Sequence, residues 1–534
     1  MTRSFLVHAN EDDEVLKTLD TIHTTRALRC LEGTRKDLIS LILEWARNFT
    51  ESVFNILWIY SYPGAGKSTL AMHIAEIFCL AHRLGVIVEF NRTTGITPID
   101  LWKTVAYCLA CEYPVCREVI VSELKSRTLN LANATSINIF ERLIAEPLRR
   151  LTASGTVISP DRLPVVVIDG LDECGGLDAS SKQTRKEILK CVAEWAKLAP
   201  GVKLVITSRV EQDIELAFSR IPHVPLEIPT GASVTYTSES TEDIRLYIKD
   251  GFRKIAHDNK IPGNWPGDEL IEDLARRAQG VFIWASTALA FIDDVDPESQ
   301  LEMVRSGKLP SGNVHGLYRQ ILESSFPRTY PPERFKSVVG VIVVAQRQFT
   351  DVELVHLLGM VSSAVNGVYK SLRTVLDSVD VIRFRHQSFV DFLIGSVEPS
   401  DNSPFDDLTA CPERFRINVA DAHQHMFGVL FRFMNENLRF NICEIPSSFL
   451  YNDQLPPDHF ESVISRPLAY ACRFWGSHLE NSQSVVNVNL VNTFIHEHLL
   501  SWLEVLSLDR SLPVAIPFLT CLVDRLPPTS EQVC

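Results

Sequence analysis

Residues 56–78 constrain the fold more than any other stretch of the chain. Ile56-Leu-Trp-Ile-Tyr60 is an unbroken apolar run, Ser61-Tyr-Pro-Gly64-Ala-Gly66 interrupts it, and Lys67-Ser68-Thr69 opens a segment in which Leu70, Ile74, Ile77 and Phe78 recur at helical spacing. The pattern predicts a strand, a tight glycine-bearing turn and a helix with one buried face. Such a turn leaves main-chain N–H groups and the open end of a helix converging on one point, which is what phosphate oxygens require of a protein. Lys67 is placed to reach the β- and γ-phosphates of a nucleotide, and the Ser68 hydroxyl to hold Mg2+. Pro63, Gly64, Ala65, Gly66 and Thr69 complete the cradle. The pattern G-x-x-x-x-G-K-[ST] is met except at its first position, where Ser61 replaces glycine and removes some freedom at the loop entrance. A Gly-Lys turn capping an ordinary helix is the plainer alternative.

Three further short runs, Val86–Phe90, Val165–Ile168 and Leu204–Thr207, are each followed by a helical stretch, so residues 51–230 read as a parallel sheet covered on both faces. Ligands of such sheets bind at the carboxyl ends of the strands, and two of those ends carry charge. Val165-Val-Val-Ile168 delivers Asp169, Asp172 and Glu173. Asp169 is expected to bind Mg2+, through water, and Glu173 or Asp172 to orient or deprotonate an attacking water. An acidic turn after a core strand explains these residues equally well when they are read alone. A calcium loop is disfavoured, because its alternating acidic spacing is absent. Lys203-Leu-Val-Ile-Thr-Ser208 ends in Arg209, a cation able to sense a γ-phosphate and stabilise charge during its transfer, with a solvated arginine as the alternative.

The remaining chain changes character. A leader and linker helix occupies residues 1–50, with Leu38, Leu41, Ile42 and Trp45 at helical spacing. After the core at 51–230, a small helical domain is expected at 231–312 and a winged-helix-like domain at 313–398, with brief strands at Arg347–Thr350 and Val381–Arg385. A C-terminal helical domain is expected at 399–534, entered through a Pro/Asp/Ser-rich linker at 397–407. The fold class is multidomain, α/β then α.

The composition excludes several functions. Hydrophobic residues make up 46% of the 534, too many for a chain disordered throughout, and Lys+Arg 52 against Asp+Glu 66 leaves a net charge of −14. That balance disfavours nucleic acid and anionic membranes as partners. No apolar stretch is long enough to span a bilayer and no secretory h-region follows Met1, so the expected location is cytoplasmic. The 12 cysteines are scattered; Cys79, Cys191 and Cys472 fall in apolar-periodic stretches and read as buried thiols. Cys108, Cys111 and Cys116 lack the partners a zinc site needs and read as core thiols, while His423, His425, His496 and His498 read as helix-face or surface residues.

Taken together, the GAGKS loop, Asp169-Gly-Leu-Asp172-Glu173 and Thr-Ser-Arg209 resemble a NACHT-type P-loop NTPase of the STAND signal-transduction class, most like its fungal members. Upstream Cys30-Leu-Glu-Gly33-Thr34-Arg35 is similar as well, as are downstream Leu226-Glu-Ile-Pro229, Ser240-Thr-Glu-Asp-Ile and Gln279-Gly280-Val-Phe-Ile-Trp284. The resemblance implies a parallel-sheet P-loop NTPase core, a small helical domain, a winged helix and a second helical domain, with ADP holding a closed state. It implies that His386, in Arg383-Phe-Arg-His386, touches the β-phosphate of ADP, and that Pro229 and Gly33-Thr34-Arg35 line the adenine pocket. Effector and repeat regions that usually flank this core are not recognisable. The implied function is an adenine-nucleotide switch with slow ATP hydrolysis controlling opening and self-association, in self/non-self or innate-immunity-like signalling. A metabolic or transport ATPase or kinase, and a scaffold merely stabilised by nucleotide, are the alternatives.

Overall fold

In the computed structural model the described residues are 11–19, 29–92, 96–126, 129–131, 134–153, 159–175, 181–230, 238–261, 263–294, 296–306, 313–377, 380–395, 410–447, 449–455, 459–483 and 488–526. The proposed linker at 397–407 and the first ten residues lie outside them. The chain divides into two compact units, Met1–Val314 and His315–Cys534.

The first unit is built on five parallel strands: β1 Ile56–Tyr60, β2 Leu84–Glu89, β3 Val165–Asp169, β4 Lys203–Ser208 and β5 Val224–Glu227. They lie in the order β2-β3-β4-β1-β5. Side chains alternate across the sheet with period two. Ile56, Trp58, Val166, Ile168, Leu204 and Ile206 enter a core with Trp102, Phe140 and Trp195. Leu57, Ile59, Val165, Val167 and Val205 enter the opposite one, with Ile42, Trp45, Leu70, Ile74 and Phe78. Both faces are covered, which is why the central strands read as continuous apolar runs. The register places all the charged strand ends on one edge: Tyr60 pairs with Ser208, and Val167 with Val205.

Several expectations need correction here. The strand expected at Val86–Phe90 is Leu84–Glu89, although Phe90 N–H still donates to the Asp169 carbonyl at 2.8 Å. β5 carries an exposed Pro225 among half-buried side chains, so it lacked a strand's signature; an edge strand tolerates both. In the helix Lys36–Arg47, Ile42 and Trp45 are buried but Leu41 is exposed, being on its outer side. Cys79 and Cys111 are exposed rather than core thiols, whereas Cys116, Cys191 and Cys472 are buried.

In the second unit, helices Pro332–Val344, Asp351–Leu358 and Ser362–Ser371 precede an antiparallel pair, β6 Leu376–Asp377 and β7 Arg383–Phe384, and then the helix Gln387–Ile394. The strand expected at Arg347–Thr350 reduces to one bridge, Phe349 to Ile382. Further on, helices Val419–Asn437 and Arg466–Glu480 pack around Phe431, Trp475, Phe494 and Trp502, with Trp475–Trp502 ring centroids 5.5 Å apart. His423 is not a surface residue: it is buried against His478.

Candidate functional site

The loop after β1 takes the shape its glycines permit. Gly64 and Gly66 have φ of +81° and +88°, values an L-residue adopts only at a cost. They are needed for different reasons. A Cβ at Gly66 would meet nothing within 4 Å, so glycine serves backbone shape there, whereas a Cβ at Gly64 would stand 2.0 Å from Ile283 Cγ2. The helix Lys67–Leu80 begins at Gly66 with no side-chain cap and no acid in its first turn. Its first N–H groups and the positive end of its dipole are therefore uncompensated by side chains, a combination that favours an anion.

Lys67 Nζ folds back over the loop, donating to the Ser61 carbonyl (3.2 Å), the Ser61 hydroxyl (3.1 Å) and the Tyr62 carbonyl (3.4 Å). Ser61, the departure from the glycine pattern, thus supplies an acceptor that glycine lacks. Burial lowers the Lys67 pKa to about 8, opposed by the charge of Asp172 and, less strongly, of Asp169 and Glu173.

Across the sheet edge, Asp169 is buried, accepts a hydrogen bond from the Thr207 hydroxyl and is bonded to Ser68. Burial raises its pKa, and those two hydroxyls pull it back. Thr207 Oγ1 also accepts the Gly170 N–H at 3.0 Å, fixing the turn that follows β3. Asp172 is engaged by Arg209: its Oδ1 accepts the Arg209 main-chain N–H at 2.9 Å, and its Oδ2 lies 3.2 Å from Arg209 Nε. Arg209 is therefore a paired, mostly buried cation, not a solvated one. Glu173 has its pKa raised to about 8, first by burial and then by the Asp172 charge, with Arg209 and Arg92 opposing. With Asp172 occupied, Glu173 is the carboxylate better suited to accept a proton.

The structure thus brings Lys67, Ser68, Asp169, Asp172, Glu173 and Arg209 to one sheet edge. A hydroxyl bonded to a carboxylate, Ser68 to Asp169, is a donor set of hard oxygens that fits Mg2+. Pro229 follows Ile228, whose N–H extends the β5 ladder to the Tyr60 carbonyl, so it lies beside the end of β1. The Thr34 side chain caps its own turn at the Leu31 carbonyl, and Arg35 donates to the Ala65 carbonyl. His386 belongs to the second unit. Its Nδ1 caps the helix Gln387–Ile394 by accepting the Ser388 N–H at 3.0 Å. Thr207, Arg92 and Arg185 escaped the sequence reading; Arg185, from the helix Ser181–Trp195, holds the Asp172 carbonyl at 3.2 Å and pairs with Asp213. Nothing but the strand-end position of Thr207 could have signalled them.

Residues 34–209 match the family model for the N-terminal region of nephrocystin 3. The vegetative incompatibility protein HET-E-1 of Podospora anserina is 23% identical over 494 residues, covering 86% of this chain and 34% of that protein. The chain therefore spans about a third of that relative's length. Among solved structures, a STAND protein with a tetratricopeptide-repeat sensor from Pyrococcus horikoshii aligns over 94% of this chain and 55% of its own at 13% identity and a TM-score of 0.42. The Aeropyrum pernix ORC2 protein aligns over 71% of this chain and 97% of its own at 12% identity and a TM-score of 0.32. Both likenesses are remote. With the family match and the relative added to the loop and strand-end geometry, the first unit has the parallel-sheet fold of a P-loop NTPase core and is similar to those of the NACHT/STAND type.

Proposed function

We propose that this chain is an adenine-nucleotide switch that hydrolyses ATP slowly and uses the difference between ATP and ADP to control opening and self-association in signalling. The observation that carries the reading is the convergence of an uncapped helix end, Lys67, the Ser68–Asp169 pair and Glu173 on one edge of the sheet. Main-chain N–H groups of residues 64–69 and Lys67 bind the phosphates. Ser68 and Asp169 would hold Mg2+, which would supply charge neutralisation at the phosphates. Glu173 takes the proton of the attacking water, and Arg209, steered by Asp172, faces the terminal phosphate.

Reversing a two-state population from 1:99 to 99:1 requires about 5.5 kcal/mol of differential binding; the sources in this reading are a γ-phosphate with Mg2+ contacted by Arg209 in one state and a β-phosphate held by His386 in the other. A cytoplasmic setting agrees with the described residues, in which no helix is long and apolar enough to cross a membrane. The test is to identify by mass the nucleotide that co-purifies, then to measure turnover and particle size with ADP and with a non-hydrolysable ATP analogue. Bound ADP, turnover well below one per second and larger particles with the analogue are expected. Hundreds of turnovers per second would favour a metabolic or transport engine, and no nucleotide affinity would end the reading. His386→Leu should loosen ADP retention if that histidine locks the ADP state; unchanged retention removes it from the switch.

A further inference from the structure

Arg35 has φ +59°, a left-handed backbone that an L-residue keeps where its surroundings hold it, and it is 5% exposed. It stands immediately before the helix Lys36–Arg47. Contacts on several sides with described residues fix it. Its Nη2 donates to the Ala65 carbonyl at 2.7 Å, and its main-chain N–H to Asp243 Oδ2 at 3.1 Å. Its Nε lies 3.9 Å from that same carboxylate oxygen, and its guanidinium sits 4.8 Å over the Phe282 ring. Beside it, the Ile283 N–H donates to the Gly64 carbonyl at 3.0 Å. Two consecutive carbonyls of the phosphate loop are therefore held from behind. In a trans peptide the C=O and the following N–H point in opposite directions. Tying back the Gly64 and Ala65 carbonyls turns the Ala65 and Gly66 N–H groups the other way, into the cradle. One tie comes from Arg35 and the other from the helix Phe282–Ile292; Asp243, which fixes Arg35, comes from the helix Ser238–Asp258.

We propose that Arg35, fixed by Asp243 and Phe282, is a positioning residue that sets the peptide orientation of the phosphate loop and couples phosphate binding to helices 238–258 and 282–292. A nucleotide then stiffens those helices through Arg35, and displacement of the helices loosens the cradle. The proposal rests on the nucleotide reading above and adds the path by which occupancy leaves the site. Coupling of this kind is reciprocal.

The test uses the full chain and MgADP, with amide hydrogen exchange as the readout and a fluorescent ADP analogue for dissociation rates. In the unmodified protein, MgADP should slow exchange at 64–70 and also at 240–252 and 282–292. Asp243→Asn keeps the shape and removes the charge. It should leave the slowing at 64–70, lose it at 240–252, weaken it at 282–292, which keeps its own tie through Ile283, and speed ADP release about tenfold, the scale of one hydrogen bond to a charged group. Arg35→Lys keeps a cation but cannot reach Ala65 and Asp243 together; it should behave the same way, and it serves if loss of the carboxylate unfolds the chain. Undiminished slowing at both helices in these variants overturns the coupling and leaves the nucleotide reading standing. No slowing at 64–70 in the unmodified protein overturns that reading and the coupling with it.

Discussion

At the carboxyl edge of the sheet, Lys67, Asp169, Asp172, Glu173 and Arg209 crowd together as charged or chargeable groups; in the second unit, His423, His478 and Tyr470 are buried as a neutral chain. The hydrogen bonds of this buried group run in one direction. Tyr470 hydroxyl accepts the Gln346 N–H at 3.0 Å and so can give its own proton to His478 Nε2 at 2.9 Å. His478 Nδ1–H then donates to His423 Nδ1, also at 2.9 Å. Burial lowers the pKa of His423 to about 4 and that of His478 well below its ordinary value, so both rings stay uncharged. The sheet edge is different: Lys67 turns onto its own loop, and Glu173 holds a pKa near 8 among competing charges. A hydrogen-bonded neutral network serves stability, whereas a cluster of mutually perturbed ionisable groups at the carboxyl edge of a parallel sheet is the arrangement typical of functional sites.

The sharpest way to break this contrast is Lys67→Ala. It should abolish ADP retention, a loss of a thousandfold or more in affinity by calorimetry, on the order of 4 kcal/mol. The folded chain should lose little stability, because the hydrogen bonds removed run only to two loop carbonyls and one hydroxyl and the desolvation cost of a buried amine is removed with them. If stability falls and ADP is retained, Lys67 is structural and the two regions are alike. Next, Glu173→Gln should keep ADP and ATP bound while turnover drops a hundredfold or more, the usual worth of a general base. An undiminished rate would move that role to another group.

The opposite result is expected in the second unit. His478→Ala strands His423 and Tyr470 in an apolar surround and should cost about 2 kcal/mol by denaturant titration, with ADP affinity unchanged. A change in ADP affinity would show that the neutral chain belongs to the switch.

What the sequence disclosed follows from the same contrast. The strands β1, β3 and β4 were legible because a two-face core demands unbroken apolar runs, and the phosphate loop because its backbone demands glycine. Asp169, Glu173 and Arg209 stood out because they end such runs. The partners that set their chemistry did not. Thr207 and Arg185 are ordinary residues made significant by register and by the β3–β4 neighbourhood. Asp243 reaches Arg35 across 208 positions of chain, which no local pattern encodes. His423 and His478, 55 positions apart, were invisible as a pair, and His423 taken singly read only as a helix-face or surface residue.

The smallest effect, and the one that separates the regions most cleanly, is on pH. His423 binds protons less readily folded than unfolded, so its contribution to stability is present above pH 6.5 and is lost as the pH falls toward 4. His478 acts in the same direction. For His423 the cost is about 1.4 kcal/mol per pH unit across that window. Amide exchange in the helix Arg466–Glu480 should therefore accelerate between pH 6.5 and 5, and the acceleration should shrink in His478→Ala. Glu173 has the reverse sign. Its pKa is raised from 4.5 to about 8, so its contribution is fully present below pH 4.5 and is lost as the pH rises through 8. Turnover should meanwhile climb severalfold as that carboxylate ionises, while ADP binding weakens above pH 8 as Lys67 gives up its charge. The two slopes oppose each other only if a base and a phosphate-binding amine are separate groups titrating in one site. A turnover profile flat from pH 6.5 to 9 would place the chemistry elsewhere than Glu173, whereas an ADP affinity flat over the same range would remove Lys67 from the phosphates.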